Sequence, residues 1–485
     1  MSLKTLKYSS YIYLILPVIF FLIGWIKPII AIPFSIAVLS IIFIVNKNNE
    51  EDEANIKVIS EKGLLLVGVI LLIVCILAGQ GGLFYQSEDH HWRNAIFRDL
   101  INQEWPVYYE RSNTYLDYYI GHWLVPAGLA KMVLPVSESF AWFVGNMMLL
   151  FWSTTGITLA FLWIINGIKN KNKKNLIIAV LIYIFFSGLD IIGILKTKNI
   201  IDMHLEWWAT SYQFSSMMTQ LFWVFNQSIP AWLITMMFLK EKNVKNYFLL
   251  IILLLPYAPL PFLGAIPLFA CNGFRCLYKS IKDKKIKEFF KDVFSIQNVI
   301  ALVCILPIFY FYYSLNQSTV NSGFTIYTQL LTPAGILNLI MFWLLEIGIY
   351  GIFLYKEYKN SPLYWTSFIT LLIIPVCAFG GARDLAMRGS IPALIVGMVF
   401  IIDFLLNKFE TSKKVCAGII IMCLTIGAVT PGFEFTRAIS TVIKNKNTSV
   451  ADGLKTFSNK IPDYFTNFLA TNKEDAIFIK YLMKK

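Results

Sequence analysis

Chemistry-bearing side chains are concentrated in a few short stretches of this chain. The densest is Ser87-Glu88-Asp89-His90-His91-Trp92-Arg93-Asn94, where two adjacent carboxylates are followed by two imidazoles and a guanidinium. A carboxylate in such a setting can take a proton from a hydroxyl, and an arginine can hold an anion through its planar fork of donors. A second stretch, Gly380-Gly381-Ala382-Arg383-Asp384-Leu385-Ala386-Met387-Arg388, places two arginines in one short connection. A third, Asp202-Met203-His204-Leu205-Glu206-Trp207-Trp208, leads on to Phe222-Trp223-Val224-Phe225-Asn226-Gln227. Aromatic faces beside carboxylates and amides suit a sugar, whose C–H faces pack on rings while its hydroxyls need fixed partners.

Each stretch also has a plainer reading. Glu88 and Asp89 would sit at the first turn of a helix, where the dipole favours carboxylates. Arg383 and Arg388 would be cations snorkelling at a helix end, with Asp384 and Arg388 spaced to pair with each other. Trp207, Trp208 and Trp223 would belong to an interfacial aromatic belt.

The elements that must position these residues follow from hydropathy. Of 485 residues, 57% are apolar and 15% charged, with a mean hydropathy of +0.62. Soluble domains are about a quarter charged. The composition excludes a soluble enzyme with one anchor, a disordered chain and a disulfide scaffold. It predicts an all-α polytopic membrane protein with about 11–13 transmembrane helices and interfacial helices in its long outer loops. Spans are expected near 9–26, 29–45, 63–81, 139–168, 176–195, 226–239, 247–259, 260–274, 297–315, 336–355, 363–380, 389–407 and 415–431. Four prolines break 247–274, so two short, bent segments are expected there. Residues 1–431 form the transmembrane domain, and 432–485 a short C-terminal segment on the outer face.

The formal charge of +13 is spread through the connections, which argues for membrane orientation and against nucleic acid. With the N-terminus in the cytoplasm, inner loops carry 24 Lys and Arg, outer loops 9 and the tail 9. Two outer regions, 82–138 and 196–225, hold all four histidines. In the first, apolar residues at 92, 96, 97 and 100 predict an amphipathic helix over 88–103 lying along the membrane surface. Asp99, on that helix but away from the pair, is expected to tolerate Asn. The seven cysteines show neither a disulfide framework nor a zinc pattern. His90, His91 and His204 with Asp89 would hold a divalent ion were one used. Their spacing is not that of a metal motif, so no cofactor is assigned.

An acidic pair just after an outward span, then an aromatic, a surface helix and Trp105-Pro106, resembles the first outer loop of the GT-C glycosyltransferases. These are lipid-linked-sugar enzymes that include protein O-mannosyltransferases and aminoarabinose transferases. The pair here is Glu-Asp where that family has Asp-Glu, and two extra spans precede it. The resemblance implies that Glu88 or Asp89 is the general base of a sugar transfer from a polyprenyl-phosphate donor to a glycan or lipid acceptor. In the substrate site we place Arg383, Arg388, His90, His91, Arg93, Glu206, Trp207, Asn226 and Gln227. The competing reading is a transporter, flippase or polymerase for lipid-linked sugars or envelope polysaccharide, for which the intramembrane carboxylates Asp190 and Glu346 are the best argument. Scarce Ala with abundant Ile, Lys and Asn points to an AT-rich bacterium, hence a multi-pass protein of the plasma membrane.

Overall fold

A computed structural model describes residues 1–47, 55–198, 204–316, 325–327, 330, 332–379, 384–444, 451, 454–457, 466–470 and 475–484. The protein is an all-α polytopic membrane protein. Among the described residues nine helices are long and apolar enough to cross a bilayer, with Pro362–Val376 and Ile391–Asn407 as shorter apolar helices.

The elements that matter for the site are α1 (Leu3–Trp25), α2 (Pro28–Lys47), α3 (Glu61–Leu77), α4 (His90–Asn102), α5 (Gly121–Lys131) and α6 (Glu138–Asn166). They are followed by α7 (Lys173–Phe185), α8 (Asp190–Thr197), α9 (Met217–Phe238), α10 (Tyr247–Ile252) and α11 (Pro259–Lys282). The chain ends with α12 (Ile296–Tyr313), α13 (Pro333–Tyr358), α14 (Pro362–Val376), α15 (Ile391–Asn407), α16 (Lys414–Gly427) and α17 (Val429–Lys444).

Helix α9 is the axis of the bundle. It is buried almost throughout and is packed by α6, α7, α11, α15 and α17. Pro230 removes the hydrogen bond that would reach the Asn226 carbonyl, and the helix departs from helical geometry at Val224. The proline-rich stretch differs from two short, bent segments. Only the first is short. Pro259 and Pro261 stand in the opening turn of α11, where no N–H is needed, so α11 runs on to Lys282. The carbonyls freed in the break find partners, Pro256 from Gly121 N at 3.0 Å and Leu255 from Tyr313 Oη at 2.7 Å.

The connections sort onto two ends. At one, Met1 bonds Ile59, Lys171 Nζ bonds the Lys57 carbonyl, and Lys169 N bonds Asn407. At the other, which we call the outer end, α4, the strands Tyr108–Tyr109 and Thr114–Tyr115, and the described parts of the C-terminal segment pack together. Lys27 Nζ reaches the Lys480 carbonyl, and Leu116 and Asn316 bridge to Leu469 and Ala470. Helix α17 continues past position 431 to Lys444, which carries its polar face over the outer end of α9.

Candidate functional site

The acidic pair stands where the chain turns out of α3 into α4. Gly79, Gly81 and Gly82 take φ of 84°, 80° and 65°, a region open to glycine, and so bring the chain round. A helix is present over His90–Asn102, within the 88–103 expected, and it buries Ile96, Phe97, Leu100 and Ile101 together with His90, Arg93, Asn94 and Asp99. Its start is pinned by Ser87, whose hydroxyl lies 2.9 Å from His90 Nδ1 and donates to the Phe222 carbonyl at 3.1 Å.

Asp89 occupies the N-cap position without using its side chain as a cap. Its carboxylate accepts instead from Arg93 Nη2 at 2.9 Å. Glu88 is exposed, and its carboxylate makes no hydrogen bond or ion pair among the described residues. The two carboxylates therefore differ in kind, one fixed by a cation and one free.

Arg388 is the described arginine of the second sequence stretch. It lies in a π-helical turn, Leu385–Gly389, just ahead of α15. Its Nη1 donates to Tyr119 Oη at 3.2 Å, its Nη2 is 3.3 Å from Asp384, and its Nε is buried without a partner. Burial alone would lower its pKa. The Asp384 carboxylate, the Tyr119 and Tyr118 hydroxyls and the Asp89 carboxylate together outweigh burial and hold it above the ordinary value. The Tyr118 hydroxyl is raised by burial first and then by Tyr119, and lowered by the charges of Arg93 and Arg388. Arg383 lies outside the described residues.

The remaining sequence candidates have other surroundings. His90 is buried, stacks on Phe225 at 5.6 Å and leaves Nε2 unpartnered. Burial, then the Arg93 charge, pushes its pKa down to about 3, so it is a neutral imidazole at any ordinary pH. His91 is half-buried beside it. Arg93 lies 5.7 Å from the Phe225 ring, its Nη1 buried and unbonded. Asn226 and Gln227 follow on α9, fully buried, with all four side-chain polar atoms unpartnered among the described residues. Glu206 works as a bracket. It accepts from Gln213 Nε2 and from Ser216 N, both at 2.8 Å, and ties the loop to the start of α9. Burial, then Asp190, pushes its pKa up to about 8. Trp207 donates to Gln213 Oε1 at 3.0 Å and stacks on His204 at 4.2 Å.

Sequence reasoning missed a second cation. Arg437 on α17 is ion-paired to Glu434, which also accepts from Trp223 Nε1 at 3.1 Å. The Arg437 guanidinium lies 5.2 Å from the Trp223 ring and 5.8 Å from that of Phe433, with its Nε buried and unpartnered. The Tyr85 hydroxyl is raised by burial first, then lowered by Arg437 and raised by Glu434 and Glu88. The available signal was the helical spacing of Glu434, Arg437 and Ala438 beyond the last apolar run.

Asp99 was also misread. It is 2% exposed and accepts from Thr456 Oγ1 at 2.5 Å, Phe457 N at 3.0 Å, Tyr109 Oη at 3.1 Å and Gln103 Nε2 at 2.9 Å. Burial raises its pKa, and the four hydrogen bonds offset part of that rise. An amide there turns one acceptor oxygen into a donor facing donors, which costs on the order of 1–3 kcal/mol. Asp99→Asn is therefore expected to lower the melting temperature in detergent and to speed tryptic cleavage after Lys455. An unchanged melting curve and an unchanged cleavage rate would show that Asp99 does not clamp the C-terminal segment.

All cysteines among the described residues are free, and no group of three or more His, Cys, Asp or Glu is arranged there to hold a metal. Fold and site together define the class, a polytopic helical membrane protein with a polar site at one end of its bundle. Comparison with known proteins adds no relative: no family model matches the chain, and no curated protein and no solved structure is detectably similar to it.

Proposed function

We propose that the protein is a membrane glycosyltransferase of the GT-C type. It moves a sugar from a polyprenyl-phosphate donor to a glycan or lipid acceptor on the outer face of a bacterial plasma membrane, with the N-terminus in the cytoplasm. The observation that carries the reading is a carboxylate, Asp89, held by Arg93 at 2.9 Å beside the exposed Glu88, together with a guanidinium, Arg388, oriented by Tyr119 and Asp384. Sugar transfer asks for those two groups. The bond from the anomeric carbon to the phosphate oxygen breaks, and the phosphate keeps the electron pair. The acceptor oxygen bonds the anomeric carbon, and its proton passes to a carboxylate.

A transporter would instead need its charges open to a path at mid-bundle. Asp190 and Glu346 do lie within spans, but they are enclosed by partners. Asp190 accepts from Ser187 and Thr430 at 3.1 and 2.9 Å, and Glu346 accepts from Trp208 at 3.2 Å.

The test reconstitutes the full chain in nanodiscs with a polyprenyl-phosphate hexose and total envelope glycans and lipids as acceptors. Free polyprenyl phosphate, measured by mass spectrometry, is expected only when protein and acceptor are both present. If vesicles holding the protein flip the lipid-linked sugar across the bilayer and release no polyprenyl phosphate, the transporter reading replaces this one.

A further inference from the structure

Two arginines on different elements each keep a buried Nε without a partner among the described residues, and one donor phosphate accounts for only one of them. Arg388, ahead of α15, is held by Tyr119 and Asp384. Arg437, on α17, is paired with Glu434 beside Trp223. Around Arg437 the site is built rather than incidental. Glu434 takes one end of the fork, two aromatic rings cover the guanidinium, and its Nε is left buried without a partner. Buried donors without partners are uncommon and mark places where a further group can bond. The rings extend away from Arg437, with His204 4.8 Å from Trp223 and stacked on Trp207. A guanidinium at the edge of an aromatic floor offers a pyranose ring a face to lie on and an anionic substituent a bidentate partner.

We infer that Arg437, Glu434 and Trp223 form a second anion subsite, which takes a negatively charged sugar of the acceptor. The inference rests on the transfer reading for the word acceptor, since the acceptor must approach the carboxylates from the side the leaving phosphate does not occupy. The recognition itself needs no transfer. Glu434 holds Arg437 as an internal stand-in for the substrate anion. An acidic sugar shares the guanidinium with Glu434 through the remaining donors.

Binding measured on the full chain in nanodiscs tests this without any turnover. The probes are glucuronate and glucose, which share a ring and differ in a carboxylate, titrated by saturation-transfer NMR. Glucuronate is expected to bind about ten-fold tighter than glucose, as a charge-assisted pair of bonds would give. Arg437→Gln should bring the ratio to about one, and Arg388→Gln should leave it. Because Arg437→Gln leaves Glu434 unpaired and could unfold the region, Glu434→Gln supplies the opposite sign. It removes the internal competitor, so the glucuronate preference should rise, which misfolding cannot produce. Equal binding of the two sugars by the unmodified protein, or a preference indifferent to Arg437 and Glu434, would overturn the subsite. Competitive displacement of glucuronate by farnesyl phosphate would overturn its assignment to the acceptor and give Arg437 to the donor. Loss of the transfer reading with the preference intact would leave the anion subsite standing. Transfer without any preference would remove the subsite alone.

Discussion

Asp89→Asn is expected to reduce sugar transfer by about 10²–10⁴-fold, the usual contribution of a positioned general base. Glu88→Gln is expected to reduce it by less than about ten-fold. The sequence left the two carboxylates equivalent, and the structure separates them. A base must be held where the acceptor hydroxyl will be, because a misplaced group forfeits the advantage of proximity. Asp89 is held by Arg93 at 2.9 Å, whereas Glu88 is exposed and its carboxylate unbonded among the described residues. The variants should remain folded, since neither carboxylate caps α4 and the helix start is pinned by Ser87. Initial rates with saturating donor, alongside melting curves in detergent, give the result. The reverse pattern would make Glu88 the base. Near-normal rates for both variants would remove the acidic pair from the chemistry and leave it as an ordinary helix start.

What could be read from the chain alone was what repeats locally. The spans follow from runs of apolar residues, and α4 follows from the spacing of Ile96, Phe97 and Leu100. The 3.6-residue period also led from Asp384 to Arg388, which do pair. What escaped was set by contacts with no local signature. Asp99 looked like a surface carboxylate because its partners, Thr456 and Phe457, are 357 and 358 positions away. Ala451 closes on Gln86 and Asn94 in the same way. Helix α17 was read as tail because one side of it, with Glu434 and Arg437, is polar, so its mean hydropathy falls below that of a span. The unpartnered amides of Asn226 and Gln227 show the opposite limit, since their types suggested a site and their burial on α9 could not be inferred from sequence.

Arg388→Gln is expected to lower kcat by about 10²–10³-fold with little change in the KM for the donor. As the glycosidic bond breaks, the phosphate gains charge, so a fixed guanidinium bonds it more strongly in the transition state than in the bound donor. An interaction of that kind appears in kcat. Position alone made Arg388 a candidate. Its geometry adds that Tyr119 and Asp384 each hold one end of the fork while the buried Nε has no partner, so the group is oriented before substrate arrives. Arg388→Lys keeps a positive charge but loses the planar fork and one anchor, and should still be impaired by at least about ten-fold. Removing the guanidinium also leaves Asp384, one-third exposed, without its cation. The double variant Arg388→Gln with Asp384→Asn separates that effect from catalysis, because it relieves the orphaned charge and should restore the melting temperature without restoring the rate. Full activity in Arg388→Lys would mean that a point charge is enough and that the fork has no role. A loss confined to KM would reduce Arg388 to holding the donor in its ground state. The stabilisation of the leaving phosphate would then belong to another group, and Arg93, with its unbonded Nη1 beside Tyr118, is the next one in reach.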